Sequence, residues 1–200
     1  DNPIMTPAYR NNYGQWLKNG NVLKFDSTNS DYLEAVSQSI EDGERLVYKG
    51  LGDMIIGERN PSVTSILVTS NILFYRDDLG ANISIFNGID SSSEYEIILR
   101  RDSGINYISI TGFSEVALPA TSSNIFVWSR VFNYSTSYWS GTVYSIESKG
   151  EQFLFREGNG TTTTGSLGTV ATINTANAGG VQYINEQVWN IDSNKFIDYE

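Results

Sequence analysis

The chain is 200 residues long, has neither cysteine nor histidine, and carries 13 basic against 23 acidic residues for a net charge of −10. Those absences exclude disulfides, thiolate or imidazole metal sites, serine–histidine triads and imidazole acid–base catalysis. The acidic balance, without a basic run, argues against a polyphosphate partner such as nucleic acid, and no apolar stretch approaches the roughly 18 residues of a membrane-crossing helix.

Taken in chain order, residues 1–20 contain Pro3, Pro7, Tyr9, Tyr13 and Trp16 and show no strand pattern. They are expected to form an arm that docks on a neighbour or covers an open sheet edge, with residues 21–200 forming one β-sandwich. Val22-Leu23-Lys24-Phe25 reads as a strand that Asp26 leaves, free to accept hydrogen bonds from the following turn. Tyr32, Leu33 and Val36 fit helical spacing and make 31–39 the one helix candidate. Runs of period two, rich in β-branched and aromatic residues, then recur at Ser65–Thr69, Asn71–Arg76, Ile83–Phe86, Tyr95–Arg100, Tyr107–Ile110, Ile125–Trp128, Thr142–Ile146 and Gln152–Arg156. Turn clusters such as Asn60-Pro61, Asn87-Gly88 and Asp102-Ser103-Gly104 punctuate them. Residues 158–180 are of low complexity and read as a surface loop returning to the fold. This rhythm predicts an all-β antiparallel sandwich.

Three patches carry a resemblance. They are Val22–Asp26 with Ser30-Asp31-Tyr32-Leu33-Glu34, the hairpin span Glu94–Ile110, and Trp139–Ile146 followed by Phe153–Gly160. In this order and spacing the chain resembles laminin-G-like jelly-roll domains of the concanavalin A-like lectin/glucanase superfamily. Its continuation through Gly168–Thr175 to Trp189 looks most like modules of phage tail fibres and other virion surface proteins. The resemblance implies a concanavalin A-like jelly roll serving as a non-catalytic recognition or adhesion module on a virion or cell surface. Its implied partners are a host-cell surface glycan and other virion or surface-protein subunits, with a homo-oligomer, commonly a trimer, as its assembly. Two other readings stand beside it, a purely structural virion component without its own ligand and an atypical glycoside hydrolase.

Candidate site residues follow from the chemistry each reading needs. Aromatic rings stack on the apolar face of a pyranose while amides bond its hydroxyls, which singles out Asn133, Tyr134, Tyr138 and Trp139 in one Ser/Thr-rich loop. Trp128 and Trp189 are expected in the core. Lectin-like domains commonly hold a rim calcium ion through oxygen ligands, and Asp26, Asp31, Asp77 and Asp78 are the candidate ligands, although turn aspartates also bond their own backbone. A glycosidase needs a matched pair of carboxylates. The nearest match is Glu94-Tyr95-Glu96, which lacks the middle aspartate and downstream glutamate of the related glucanases, so no catalytic residue is assigned and the chain is expected not to be an enzyme.

Overall fold

The computed structural model describes residues 8–10, 16–18, 22–58, 64–77, 80–119, 124–134, 137–155, 161–174, 182–184, 187–190 and 195–198. Among them the chain is all-β, with one short 3-10 turn at Ser27–Asn29, and no helix is long and apolar enough to cross a membrane.

Two eight-stranded antiparallel sheets form the sandwich. The first runs Phe113–Ala117, Ile105–Ile110, Tyr95–Asp102, Arg45–Gly52, Gly141–Ser148, Val22–Phe25 and Gln182–Ile184, with Glu151–Phe153 also paired to Gly141–Ser148. The second runs Thr162–Thr164, Val170–Asn174, Tyr32–Ile40, Phe126–Val131, Met54–Gly57, Ser65–Thr69, Ile72–Arg76 and Asn82–Asn87. Side chains alternate across each strand. Along Arg45–Gly52, Leu46, Tyr48 and Gly50 are buried while Val47 and Lys49 are half-buried and Arg45 is exposed. The inward sets meet in one core in which Leu23, Phe25, Tyr48, Trp128, Phe132 and Phe153 are fully buried. Each such burial stabilises by roughly 1.5–3 kcal/mol. Phe25 stacks on Phe132 at 4.6 Å between centroids, and Trp128 meets Phe153 edge-on at 6.3 Å. The Trp128 indole N–H donates to Ser148 Oγ at 3.0 Å, so the core's largest ring keeps its polar atom partnered.

The helix candidate over 31–39 is the strand Tyr32–Ile40. Leu33, Ala35 and Ile40 are buried and Val36 is 72% exposed. Its register against Phe126–Val131 shifts between Trp128 and Arg130, where Arg130 faces Glu34 but Trp128 faces Gln38. Those inserted residues break the period-two pattern and place apolar side chains at helix-like intervals. The low-complexity stretch is likewise not loop throughout. Thr162–Thr164 and Val170–Asn174 are strands, with Thr163, Ala171 and Ile173 buried on alternate positions. Ala8–Arg10 and Trp16–Lys18, in the stretch read without strands, join Gln187–Asn190 and Lys195–Asp198 in a separate four-stranded sheet.

Candidate functional site

Asp26 ends the strand Val22–Phe25 and caps the 3-10 turn that follows. Its Oδ1 accepts from the Thr28 backbone N–H and from the Thr28 hydroxyl, each at 2.8 Å, and these bonds hold the carboxyl below its ordinary range. Ser30 then takes a left-handed conformation (φ 55°), which turns the chain so that Asp31 folds back. The Asp26 N–H donates to Asp31 Oδ2 at 3.2 Å, and the Asp31 N–H donates to the Asp26 carbonyl at 3.4 Å. Asp31 is only 1% exposed, and its Oδ1 is buried without a hydrogen-bond partner.

A second segment arrives at the same place. Phe132 follows the strand Phe126–Val131 with φ 66°, a left-handed conformation costly for so bulky a residue. Its N–H donates to the Ile55 carbonyl and its carbonyl accepts from the Trp139 N–H at 3.0 Å. The bend sends the chain into a two-stranded hairpin in which Asn133 faces Tyr138 and Tyr134 faces Ser137. Past the hairpin, Ser140 Oγ accepts from the Ser27 N–H and donates to Ser27 Oγ, both at 2.9 Å. The aromatic loop and the Asp26–Asp31 loop, more than a hundred positions apart in sequence, are thus joined at one rim of the sandwich.

Charge fixes the hairpin from below. The Arg130 guanidinium, its side chain 8% exposed, donates twice to Glu34 Oε1, at 2.7 and 2.8 Å, and once to Asn133 Oδ1 at 2.7 Å. It lies 4.6 Å over the ring of Tyr32, and Tyr32 in turn packs 6.2 Å from the ring of Tyr138. Asn133 Nδ2 donates to the Ser137 carbonyl. Asn133 is 1% exposed, with its side chain bonded to Arg130 and to the Ser137 carbonyl. Tyr138 and Trp139 are half-buried, and Trp139 packs against both the main core and the Ile55–Leu67 pair. The side chains of Tyr134 and Trp189 lie outside the described residues.

The remaining candidates are dispersed. Leu33 faces Val131 and Ile40 faces Phe126, so Asp31 lies at one end of the second sheet. Asp77 follows Arg76, whose strand lies four strands from Tyr32–Ile40 across that sheet. Its Oδ1 accepts from the Ala81 N–H at 2.8 Å, closing a turn. Asp78 lies outside the described residues. Among the described residues no group of three or more Asp or Glu side chains could hold a metal ion, so calcium at the rim would rest on two carboxylates. Asp26 and Asp31 suit a hard cation by donor type, and the unpartnered, buried Asp31 Oδ1 is the observation in its favour.

A further feature went unread in the sequence. On the outer face of the first sheet a depression of about 440 Å³ is lined by Arg45, Val47, Lys49, Glu96, Ile98 and Glu147 among others. Its signal was the alternation in Arg45–Lys49, hidden because the strand has only two large apolar inward residues. Of the glucanase-like pair, Glu94 is exposed and Glu96 pairs with Lys49 at 3.0 Å, with Tyr95 buried between them.

No protein-family model matches the chain, and no curated protein sequence matches it. The fold is similar to the crystal structure of the LG1-3 region of the laminin alpha2 chain, with a TM-score of 0.54 at 15% identity, over 70% of this chain and 29% of that one. The chain therefore spans less than a third of that fragment. Mouse laminin alpha1 chain, domains LG4-5, gives a TM-score of 0.49 at 9% identity over 77% of this chain and 46% of that one. A congerin II double mutant gives 0.41 at 11% identity over 58% and 97%. The architecture is a laminin-G-like jelly-roll sandwich.

Proposed function

We propose that the chain is a non-catalytic glycan-recognition module whose binding surface is the rim carrying Tyr138 and Trp139. One observation carries this reading: two distant loops converge there, one bringing half-buried aromatic rings and the other a buried carboxylate oxygen with no partner. A half-buried ring offers a hydrophobic face of fixed orientation at low entropic cost, which suits a sugar's C–H face. Tyr134 belongs to the same hairpin and is included in the proposal. Calcium is the cofactor we propose, held by Asp26 and Asp31, where it would neutralise the buried carboxylate and attract sugar hydroxyls. The proposed setting is extracellular, as on a virion or cell surface, where presentation as a trimer would raise avidity without new contacts.

The test is a glycan array probed with the purified chain, with and without calcium. Binding should fall at least ten-fold in Tyr138→Ala and in Trp139→Ala proteins that keep the parent's circular dichroism, and chelation should weaken it. Capture of no glycan, or undiminished binding in both variants, would overturn the reading.

A further inference from the structure

The first sheet presents an outer face that the rim reading does not use. Three neighbouring strands meet there in register. Ile98 faces Val47 and Val47 faces Glu147 in one row, while Glu96 faces Lys49 and Lys49 faces Ser145 in the next. Rows on one face lie about 7 Å apart along the strands, and neighbouring strands about 4.8 Å apart. The buried alternates Leu46, Tyr48, Ile97 and Ile146 anchor this face to the core, so its shape is set by the sandwich rather than by loops.

The chemistry of the depression is specific. Val47 and Ile98 form a small aliphatic floor, continued by Leu154. Two ion pairs flank it: Arg45 with Glu147 at 2.7 Å, and Lys49 with Glu96 at 3.0 Å. Gln152 Nε2 donates to the second oxygen of Glu147 at 3.3 Å. Each pair therefore offers a cationic donor and an anionic acceptor side by side, partly exposed and already neutralised.

We infer that this groove is a second ligand site, taking a neutral, hydroxyl-rich oligosaccharide laid across the sheet. A pair of adjacent hydroxyls is the group that donates to a carboxylate and accepts from a cation at once, and the C–H face of the same sugar covers the aliphatic floor. A polyanion is disfavoured, since both cations carry a carboxylate and the chain's net charge is −10. A protein partner would need a larger apolar centre than three aliphatic side chains. Hydrolysis is not part of the inference. A glycosidase's acid must hold a proton at working pH, whereas the hydrogen bond from Arg45 keeps Glu147 below the ordinary glutamate range. The groove stands on its own residues and does not depend on the rim.

The test is an amide-shift titration of the isotope-labelled chain with uncharged oligomers of glucose, galactose, mannose and xylose, and with a sulfated oligosaccharide as comparison. At least one neutral oligomer should give saturable shifts at residues 45–49, 96–98 and 145–147. Val47→Arg, which fills the floor, should abolish them, and Glu147→Gln should weaken binding at least ten-fold. Tyr138→Ala should leave them intact, which separates this site from the rim. No groove shift with any neutral oligomer, undiminished binding by both groove variants, or groove shifts with the sulfated sugar alone would overturn the inference.

Discussion

Gly141 pairs with Phe25 on one side and Gly52 on the other. A Cβ there would fall on the Asp53 carbonyl oxygen, 2.8 Å from the Phe132 ring and 2.9 Å from the Leu51 carbonyl oxygen. Two of the three obstacles are backbone, which cannot swing aside. Gly141→Ala should therefore cost about 1–3 kcal/mol through overpacking, visible as a lower urea midpoint, and an unchanged midpoint would contradict the crowding. Nothing in the run Trp139-Ser140-Gly141-Thr142 announces this, because the backbone that crowds it, at Leu51 and Asp53, comes from far upstream in the chain. Asp26 is the opposite case. Its bond to the next turn was legible, since a short acidic side chain after a strand has only nearby donors to reach. Asp31 was legible as a turn residue but not as a buried one, because burial depends on the tertiary fold rather than on its neighbours in sequence.

The hairpin Asn133–Tyr138 is held at the scale of elements rather than of single contacts. Arg130 connects the strand Tyr32–Ile40, through Glu34 and Tyr32, to the hairpin, through Asn133. Arg130→Ala leaves Asn133 and Glu34 without their charged partner, at a cost of about 2 kcal/mol. The hairpin should loosen more than the sandwich, so Trp139 fluorescence should become more accessible to acrylamide while Trp128 stays shielded. Quenching identical to the parent would remove Arg130 from this role. Sequence pattern found most strands with clean alternation and missed those whose alternation is interrupted. Tyr32–Ile40 lost it to an irregular register, and Thr162–Thr164 lost it because threonine serves on both its faces. The aromatic loop was found as a cluster of residue types. Its docking beside Asp26 was not, because Ser27 and Ser140 carry no mark of each other.

Across the whole molecule, antiparallel architecture was readable from turn spacing, while strand order was not, since it is set by which inward faces fit together in the core. Titration also acts at this scale. Burial pushes the Tyr48 and Tyr95 hydroxyls well above their ordinary value of 10.0. An unfolded chain ionises them near that value, so the stability they confer is full below about pH 10 and is lost as pH rises beyond it. Hydrogen bonds lower the carboxyls of Asp26, Asp90 and Glu147, so their contribution is full above about pH 5 and is lost on acidification. With no histidine between these limits, the urea midpoint should be flat from about pH 5 to pH 9 and fall on both sides. Tyr48→Phe with Tyr95→Phe should shrink the alkaline fall, and a slope between pH 6 and pH 7 would count against the scheme.

The pairing of Val22–Phe25 with Gln182–Ile184, and of Tyr32–Ile40 with Val170–Asn174, has a consequence for biosynthesis. A ribosome delivers these early strands long before their partners emerge, so each sheet grows with an unclosed seam of free backbone groups and apolar side chains. Nascent chains stalled before residue 170 should be sticky, bound by holdases and open to proteases, and release of the late strands should convert them abruptly into the protected form.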